Sequence, residues 1–214
     1  GLAGGLNNYQ YVKNPTGWID PLGLSQCVGD CPGSALQHIP HEQREVYEEF
    51  KRHHEGMFKD EMSTVDAFET LRDGKSPWPI GYQPKTRLAE PREKFTMITN
   101  TGRGNYPGQF ASPNDIPDAI FGRNNLAIID EWKPTLDRKV TYEVQKPFEV
   151  EYGPVGPQIN KAADGSYSYL PGGGEQVKLL YKDYQNAVAN ADNDFTKDAY
   201  MKVVSNTKLP KVKK

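Results

Sequence analysis

Three short stretches carry residue types that together could hold a charged, ring-bearing small molecule. The first is NTGRGNYPGQFASP, residues 100–113. Its glycines and prolines shape a loop whose backbone can approach a ligand closely. Arg103 offers a planar, permanently charged fork suited to a diphosphate, and Phe110 offers a flat face for a heteroaromatic ring. Thr101, Gly102, Arg103, Gly108, Phe110 and Ser112 are the candidate binding residues of this loop. Its spacings match neither a Walker phosphate loop nor a dinucleotide fingerprint, and taken alone such a stretch is more often only a loop. The second is PGGGEQV, residues 171–177. A tight turn explains one or two glycines; a third points to close backbone packing or ligand approach. Glu175 and Gln176 follow on a strand, so they face opposite sides, and one can face a cleft while the other faces solvent. A Gln can orient a ribose hydroxyl or a water. A Glu can stabilise positive charge on a ribose or act as a base. The third runs from YEVQKPFEV (142–150) to GPVGPQ (153–158), in which Gln158 is the one ligand-facing candidate.

The elements that position these residues are expected to be helical first and β afterwards. EQREVYEEFKRHHEGMF places Val46, Tyr47, Phe50 and Met57 at helical spacing, which predicts an amphipathic helix ending near Gly56. A second helix is expected over 63–72, with Ser63 as its cap and Val65, Phe68 and Leu71 as its apolar stripe. Residues 73–91 contain four prolines and read as an irregular crossing. Strands are expected in KFTMITNT, in LAIID (126–130), in KVTYEVQKPFEVEYG with Val140, Tyr142 and Val144 on one face, and in EQVKLLY (175–181). The segment after residue 181 suggests one or two C-terminal helices, followed by a basic tail, KLPKVKK. The fold class expected is α+β, with N-terminal helices followed by a small, strongly twisted, mainly antiparallel sheet.

At 214 residues the chain fits one domain with a lead segment. A net charge of −2 and a pI near 6.1 argue against a broadly basic nucleic-acid binder. No apolar run approaches the roughly 18 residues that span a bilayer, so no membrane partner is expected. Cys27 and Cys31 are spaced C-x3-C, which is neither a redox nor a zinc-knuckle pattern. His38, His41, His53 and His54 lack metal-ligand spacing, and no G-x-S-x-G elbow is present, so no metal or hydrolase triad is expected.

The first 24 residues, GLAGGLNNYQYVKNPTGWIDPLGL, resemble the end of the repeat core of Rhs polymorphic toxins, which closes on NPTGWIDPLGL. The resemblance implies that the chain is part of a much longer one, with 1–24 as the core end, 25–40 as a linker and 41–214 as a delivered toxin domain. Within that domain 41–72 would be helical, about 92–181 the catalytic β part, and 182–214 a helical segment and tail. It further implies self-cleavage after Leu24 by the Rhs core of the same polypeptide. A cognate immunity protein is implied, as is delivery, by a secretion system of type VI, into the cytoplasm of a target bacterium.

Taken in order, the three stretches are similar to NAD glycohydrolase toxins of the tuberculosis necrotizing toxin type, and more widely to ADP-ribosyltransferase-like NAD-consuming toxins. The similarity covers about 103–180. It implies an ADP-ribosyltransferase-like sheet and NAD+ as the substrate. Arg103 would hold the diphosphate, Phe110 would stack near nicotinamide, and Gln176 would lie beside the nicotinamide ribose. Val140 and Thr141 stand where that family has a His, and residues 118–127 replace its R-A-L-P-P-like stretch. Glu175 could stand in for the catalytic Glu of true ADP-ribosyltransferases. The expected activity is therefore cleavage of the nicotinamide–ribose bond with water as acceptor. The alternatives are ADP-ribosylation of a protein or RNA of the translation machinery, a nuclease, or a non-enzymatic binding module.

Overall fold

The computed structural model describes residues 34–100, 107–180 and 200–210. The Rhs-like lead, Cys27, Cys31 and the loop residues Thr101, Gly102 and Arg103 lie outside the described residues. The chain divides into two units, Gly1–Pro40 and His41–Lys214. In the first, a short 3-10 turn, Ala35–His38, is capped by Ser34, whose side chain accepts from the Leu36 amide.

The second unit opens with a 3-10 turn (His41–Gln43) that runs into helix α1, Arg44–His53. Its Val46, Tyr47 and Phe50 are spaced at three and four residues, so one stripe is buried. Met57 was expected to extend that stripe, but it lies past the helix end and is 58% exposed. Helix α2, Glu61–Gly74, buries Val65, Phe68 and Leu71. Its cap is Asp60, not Ser63: the Asp60 carboxylate accepts from both the Ser63 amide and hydroxyl. Those two donors hold the Asp60 carboxyl below its ordinary range. Ser63 is three residues into the helix, where its free amide seeks a cap and cannot be one. The helices meet through edge-on aromatic pairs, Tyr47–Phe68 at 5.4 Å and Phe50–Phe68 at 5.6 Å.

The rest is antiparallel sheet. The strands are β1 (Lys85–Ala89), β2 (Lys94–Thr99), β3 (Phe110–Ala111), β4 (Arg138–Val144), β5 (Phe148–Pro154), β6 (Gln158–Lys161), β7 (Tyr167–Leu170), β8 (Glu175–Leu179) and β9 (Met201–Lys208). They form three open sheets, ordered β1-β5-β8-β3, β2-β4-β9 and β6-β7. A short helix α3, Ala119–Asn124, lies between β3 and β4 in sequence and is capped by Asp118. The main core draws on the first two sheets: Phe95, Met97, Val140, Tyr142, Val144, Phe148, Val150, Val177 and Met201 are all buried. Each such large side chain contributes about 1.5–3 kcal/mol on burial. A bridge between Thr96 and Ser112 joins the sheets at β2 and the end of β3. The architecture is therefore mixed helix and antiparallel sheet. Among the described residues no helix is long and apolar enough to cross a membrane.

Several expected elements differ. LAIID is a loop rather than a strand. Ala127 has a φ of 44°, and the Ile128 amide bonds back to the Gly122 carbonyl. Its apolar side chains still bury, Ile128 and Leu126 against the β2–α3 cluster and Ala127 and Ile129 with Val155 and Leu170. The apolar run therefore records burial without a sheet partner. The Pro-rich crossing ends earlier than expected, because Lys85–Ala89 pairs with β5. The hairpin β6–β7 has no sequence counterpart in the expectations. Its turn rests on Gly165 at φ 87°. Finally, Met201–Lys208 is a strand on β4, not a helix or part of a tail. Its Val203, Val204 and Thr207 are β-branched and favour the pleated conformation.

His54, at the end of α1, is buried, stacks on Phe50 at a centroid distance of 4.2 Å and bonds the Phe50 carbonyl through Nδ1 at 2.9 Å. Burial holds its pKa below the ordinary histidine value. Below about pH 6.5 the unfolded chain gains this proton more readily than the folded one, so stability falls as pH drops. Urea unfolding between about pH 8 and about pH 5 is expected to show that loss in the wild type and a shallower loss in His54→Asn. An equal slope in both would assign the effect to other groups.

Candidate functional site

A cavity of about 330 Å³ opens between the end of β2, β3, the 126–133 loop and the starts of β6 and β8. Its size falls in the range of small-molecule sites. Gly108, Phe110, Ser112, Gln158 and Gln176 line it, together with Pro77, Trp132 and Lys133. Its walls are largely apolar, from Met97, Ile98, Ile116, Ile128 and Val155. Glu175 does not line it. It is exposed, on the other side of β8, and accepts a hydrogen bond from Asn114 Nδ2 at 2.8 Å.

The cavity's polar groups are set by a strap of Pro-rich chain. The Pro77 carbonyl accepts from the Gly156 amide at 2.9 Å and from Gln176 Nε2 at 2.5 Å. The neighbouring Ser76 carbonyl accepts from Gln158 Nε2 at 2.5 Å. A carbonyl only accepts, so in both glutamines the NH2 end is committed to the strap and the carbonyl end is left for another donor. Gln158 is 1% exposed, and its Oε1 has no hydrogen-bond partner among the described residues. The strap lies so close that a Cβ on Gly156 would come within 2.3 Å of the Trp78 carbonyl.

The three-glycine turn places β8, and each glycine has its own reason. Gly172 (φ 70°) donates to Asn124 O, and a Cβ there would meet the Val155 and Gly156 carbonyls at 2.6 Å. Gly173 donates to Val155 O and has open space around it, but its φ is 85°. Gly174 donates to Asn125 O, and a Cβ would meet that same oxygen at 2.7 Å. The turn thus seats β8 against both the end of α3 and the end of β5.

On the opposite wall, the backbones of Thr96 and Ser112 exchange two hydrogen bonds of 2.8 Å, and the Gly108 amide points at Met97 Sδ at 3.0 Å. Phe110 is 36% exposed at the rim. Trp132, 43% exposed, lines the cavity as well. Sequence reading missed Trp132 and Lys133, which lie in the loop read partly as a strand. Arg123 orders that loop: its guanidinium donates to the carbonyls of Ile128 (2.5 Å) and Lys133 (2.7 Å) and pairs with Asp130 at 2.6 Å. An arginine beside an apolar run was the available signal, since a half-buried guanidinium requires several acceptors. Lys133 is the one ionisable side chain among the described residues of the lining, and its Nζ donates to Ile98 O at 2.5 Å. Among the described residues no carboxylate lines the cavity. Among the described residues no three of His, Cys, Asp and Glu are grouped to hold a metal ion.

No family model matches the chain. It is 59% identical over 27 residues to the probable deoxyribonuclease RhsA of Dickeya dadantii (strain 3937), covering 13% of this chain and 2% of that protein. It is 39% identical over 70 residues to the probable deoxyribonuclease RhsB of the same organism, covering 30% of this chain and 4% of that protein. The chain thus spans only a few per cent of these curated relatives and is related to Rhs proteins in part. Among solved structures it is similar to Tne2 in complex with Tni2, at 24% identity and a TM-score of 0.46, over 62% of this chain and 98% of that one.

The glycine turn yields a graded expectation. Gly173→Ala meets no atom and carries only the left-handed backbone cost of about 1–2 kcal/mol. Gly172→Ala adds to that backbone cost about 1–3 kcal/mol for forcing main chain apart, whereas Gly174→Ala carries the main-chain clash alone. Urea denaturation is expected to rank Gly172→Ala, which carries both costs, as the most damaging of the three; equal losses would show that the turn is not packed as described.

Proposed function

We propose that the cavity receives the nicotinamide–ribose end of NAD+ and that the protein hydrolyses the bond between them. The observation that carries this reading is Gln176. It is buried in a largely apolar cavity, its amide nitrogen is fixed on the Pro77 carbonyl, and its carbonyl end is left to accept from a ribose hydroxyl. The resemblance to necrotizing-toxin-type glycohydrolases places the same role on Gln176.

The chemistry suits a site whose described residues include no carboxylate. The C1′–N bond breaks, and its electron pair leaves with the pyridine nitrogen, so nicotinamide departs neutral and needs no acid. The ribose passes through an oxocarbenium-like state, water adds at C1′ and one proton is released to solvent. The net change is NAD+ and water to nicotinamide, ADP-ribose and a proton. An apolar wall favours that step, because the pyridinium charge is worst placed there before cleavage. The protein's part is to hold the substrate bent and oriented: Phe110 at the ring, Gln176 on the ribose and Arg103 on the diphosphate. Water is favoured as the acceptor because Glu175 points away from the cavity. In the context of an Rhs protein the activity would drain the NAD+ of a target bacterium, and the producer would need an immunity protein that blocks this cleft.

The printed names of the curated relatives favour a second reading, a deoxyribonuclease. The two separate in one set of assays. Purified protein is given NAD+, and in parallel DNA with divalent metal. The expected outcome is nicotinamide release without DNA cleavage. Gln176→Ala is expected to lower kcat/KM by about 100-fold or more, the usual loss of a transition-state hydrogen bond. Glu175→Gln is expected to stay within about threefold, as for a surface change. Loss of activity in Glu175→Gln with retention in Gln176→Ala would point to a transferase. DNA cleavage without NAD+ turnover would favour the nuclease.

A further inference from the structure

We propose that Gln158 reads the carboxamide of the pyridine ring, making the site selective for dinucleotides with a nicotinamide over those with a nicotinic acid. The proposal rests on the NAD+ reading above and assigns a specificity-determining residue within it. Gln158 is almost fully buried, lines the cavity and donates an Nε2 hydrogen to the Ser76 carbonyl. Its Oε1 is a buried acceptor with no partner among the described residues. Native structures leave few such atoms unsatisfied, and in a residue that lines a cavity a buried acceptor of this kind points to a ligand donor that reaches in to it.

The substituent of the pyridine ring decides which ligand can supply that donor. A carboxamide brings an NH2 group with two hydrogens to donate. A carboxylate at the same place brings acceptors only, and adds a negative charge beside the Gln158 oxygen. The Gln158 amide cannot turn over to greet it, because the Ser76 carbonyl requires a donor on the other side. The apolar neighbours Val155 and Leu126 provide no compensating donor. Lys133 is the one charged group among the described lining residues that would draw a carboxylate, from the wall where it bonds the Ile98 carbonyl. The selectivity of the wild-type protein therefore reports which of the two groups faces the ring substituent.

The test compares kcat/KM for NAD+ and for nicotinic acid adenine dinucleotide, with inhibition by free nicotinamide and free nicotinate measured alongside. The wild type is expected to prefer NAD+ by about 100-fold or more, since a site built around a hydrogen bond rejects the analogue that lacks its partner. Nicotinamide is expected to inhibit and nicotinate not to. In Gln158→Met, close in length but without the acceptor, the preference is expected to shrink to about tenfold or less, mainly through a higher KM for NAD+. If that variant melts far below the wild type, the inhibition contrast in the wild type decides. Equal turnover of the two dinucleotides, as when a water alone serves Gln158, overturns the proposal. So does a preference for the acid, or an unchanged preference in a folded Gln158→Met. In each of these cases the NAD+ reading survives. Turnover of neither dinucleotide would remove both.

Discussion

The carbonyl of Pro77 is the point on which the site's geometry turns. It takes two donors at once, the Gly156 amide from the end of β5 and the Gln176 side chain from β8. Proline suits this place because its ring fixes the backbone and it has no amide of its own to satisfy. The close approach depends on the other partner being glycine, since any side chain at 156 would strike the Trp78 main chain. The chain leaving α2 is in this way laid directly on the strand ends that form the cavity floor. A shift of the strap would move Gln158 and Gln176 together, because both amides are tied to adjacent carbonyls.

The same tie sets the polarity of the cavity. Two glutamines could present donors or acceptors, but the strap takes one N–H of each and so fixes which end of each amide it holds. The carbonyl ends are left as acceptors among apolar walls, and among the described residues Lys133 is the single ionisable side chain of the lining. Such a surroundings favours a ligand that brings hydroxyl or amide donors and a flat ring. Among the described residues it offers no carboxylate for acid, base or nucleophilic work, which fits a reaction whose leaving group departs neutral. The glycine turn supports this arrangement from behind by locking the start of β8 to the ends of α3 and β5.

Where burial and periodicity coincide, the sequence was legible. The alternation of Val140, Tyr142 and Val144 and the stripe of Val46, Tyr47 and Phe50 appear as buried faces. The opposite facing of Glu175 and Gln176 follows from the two-residue repeat of a strand. The loop at 126–130 misled because an apolar run reports an interior position, not a hydrogen-bonded partner. Strand β9 was hidden because its exposure does not alternate and its pairing with β4 is long-range. In the site, Gly108, Phe110, Ser112, Gln158 and Gln176 come together from distant parts of the chain. Trp132 and Lys133 were not legible, because an irregular loop brings them in and nothing periodic marks it. The strap itself carries only a cluster of prolines as its signature, and prolines do not say which carbonyl will be used.

The most direct measurement is the fate of NAD+ labelled on its adenylate side, incubated with the purified protein with and without bacterial lysate. A hydrolase with this cavity releases nicotinamide and free labelled ADP-ribose in equal amounts in buffer alone, and lysate adds nothing. Intact NAD+ in both tubes, or label that appears on a protein or RNA only when lysate is present, would contradict it.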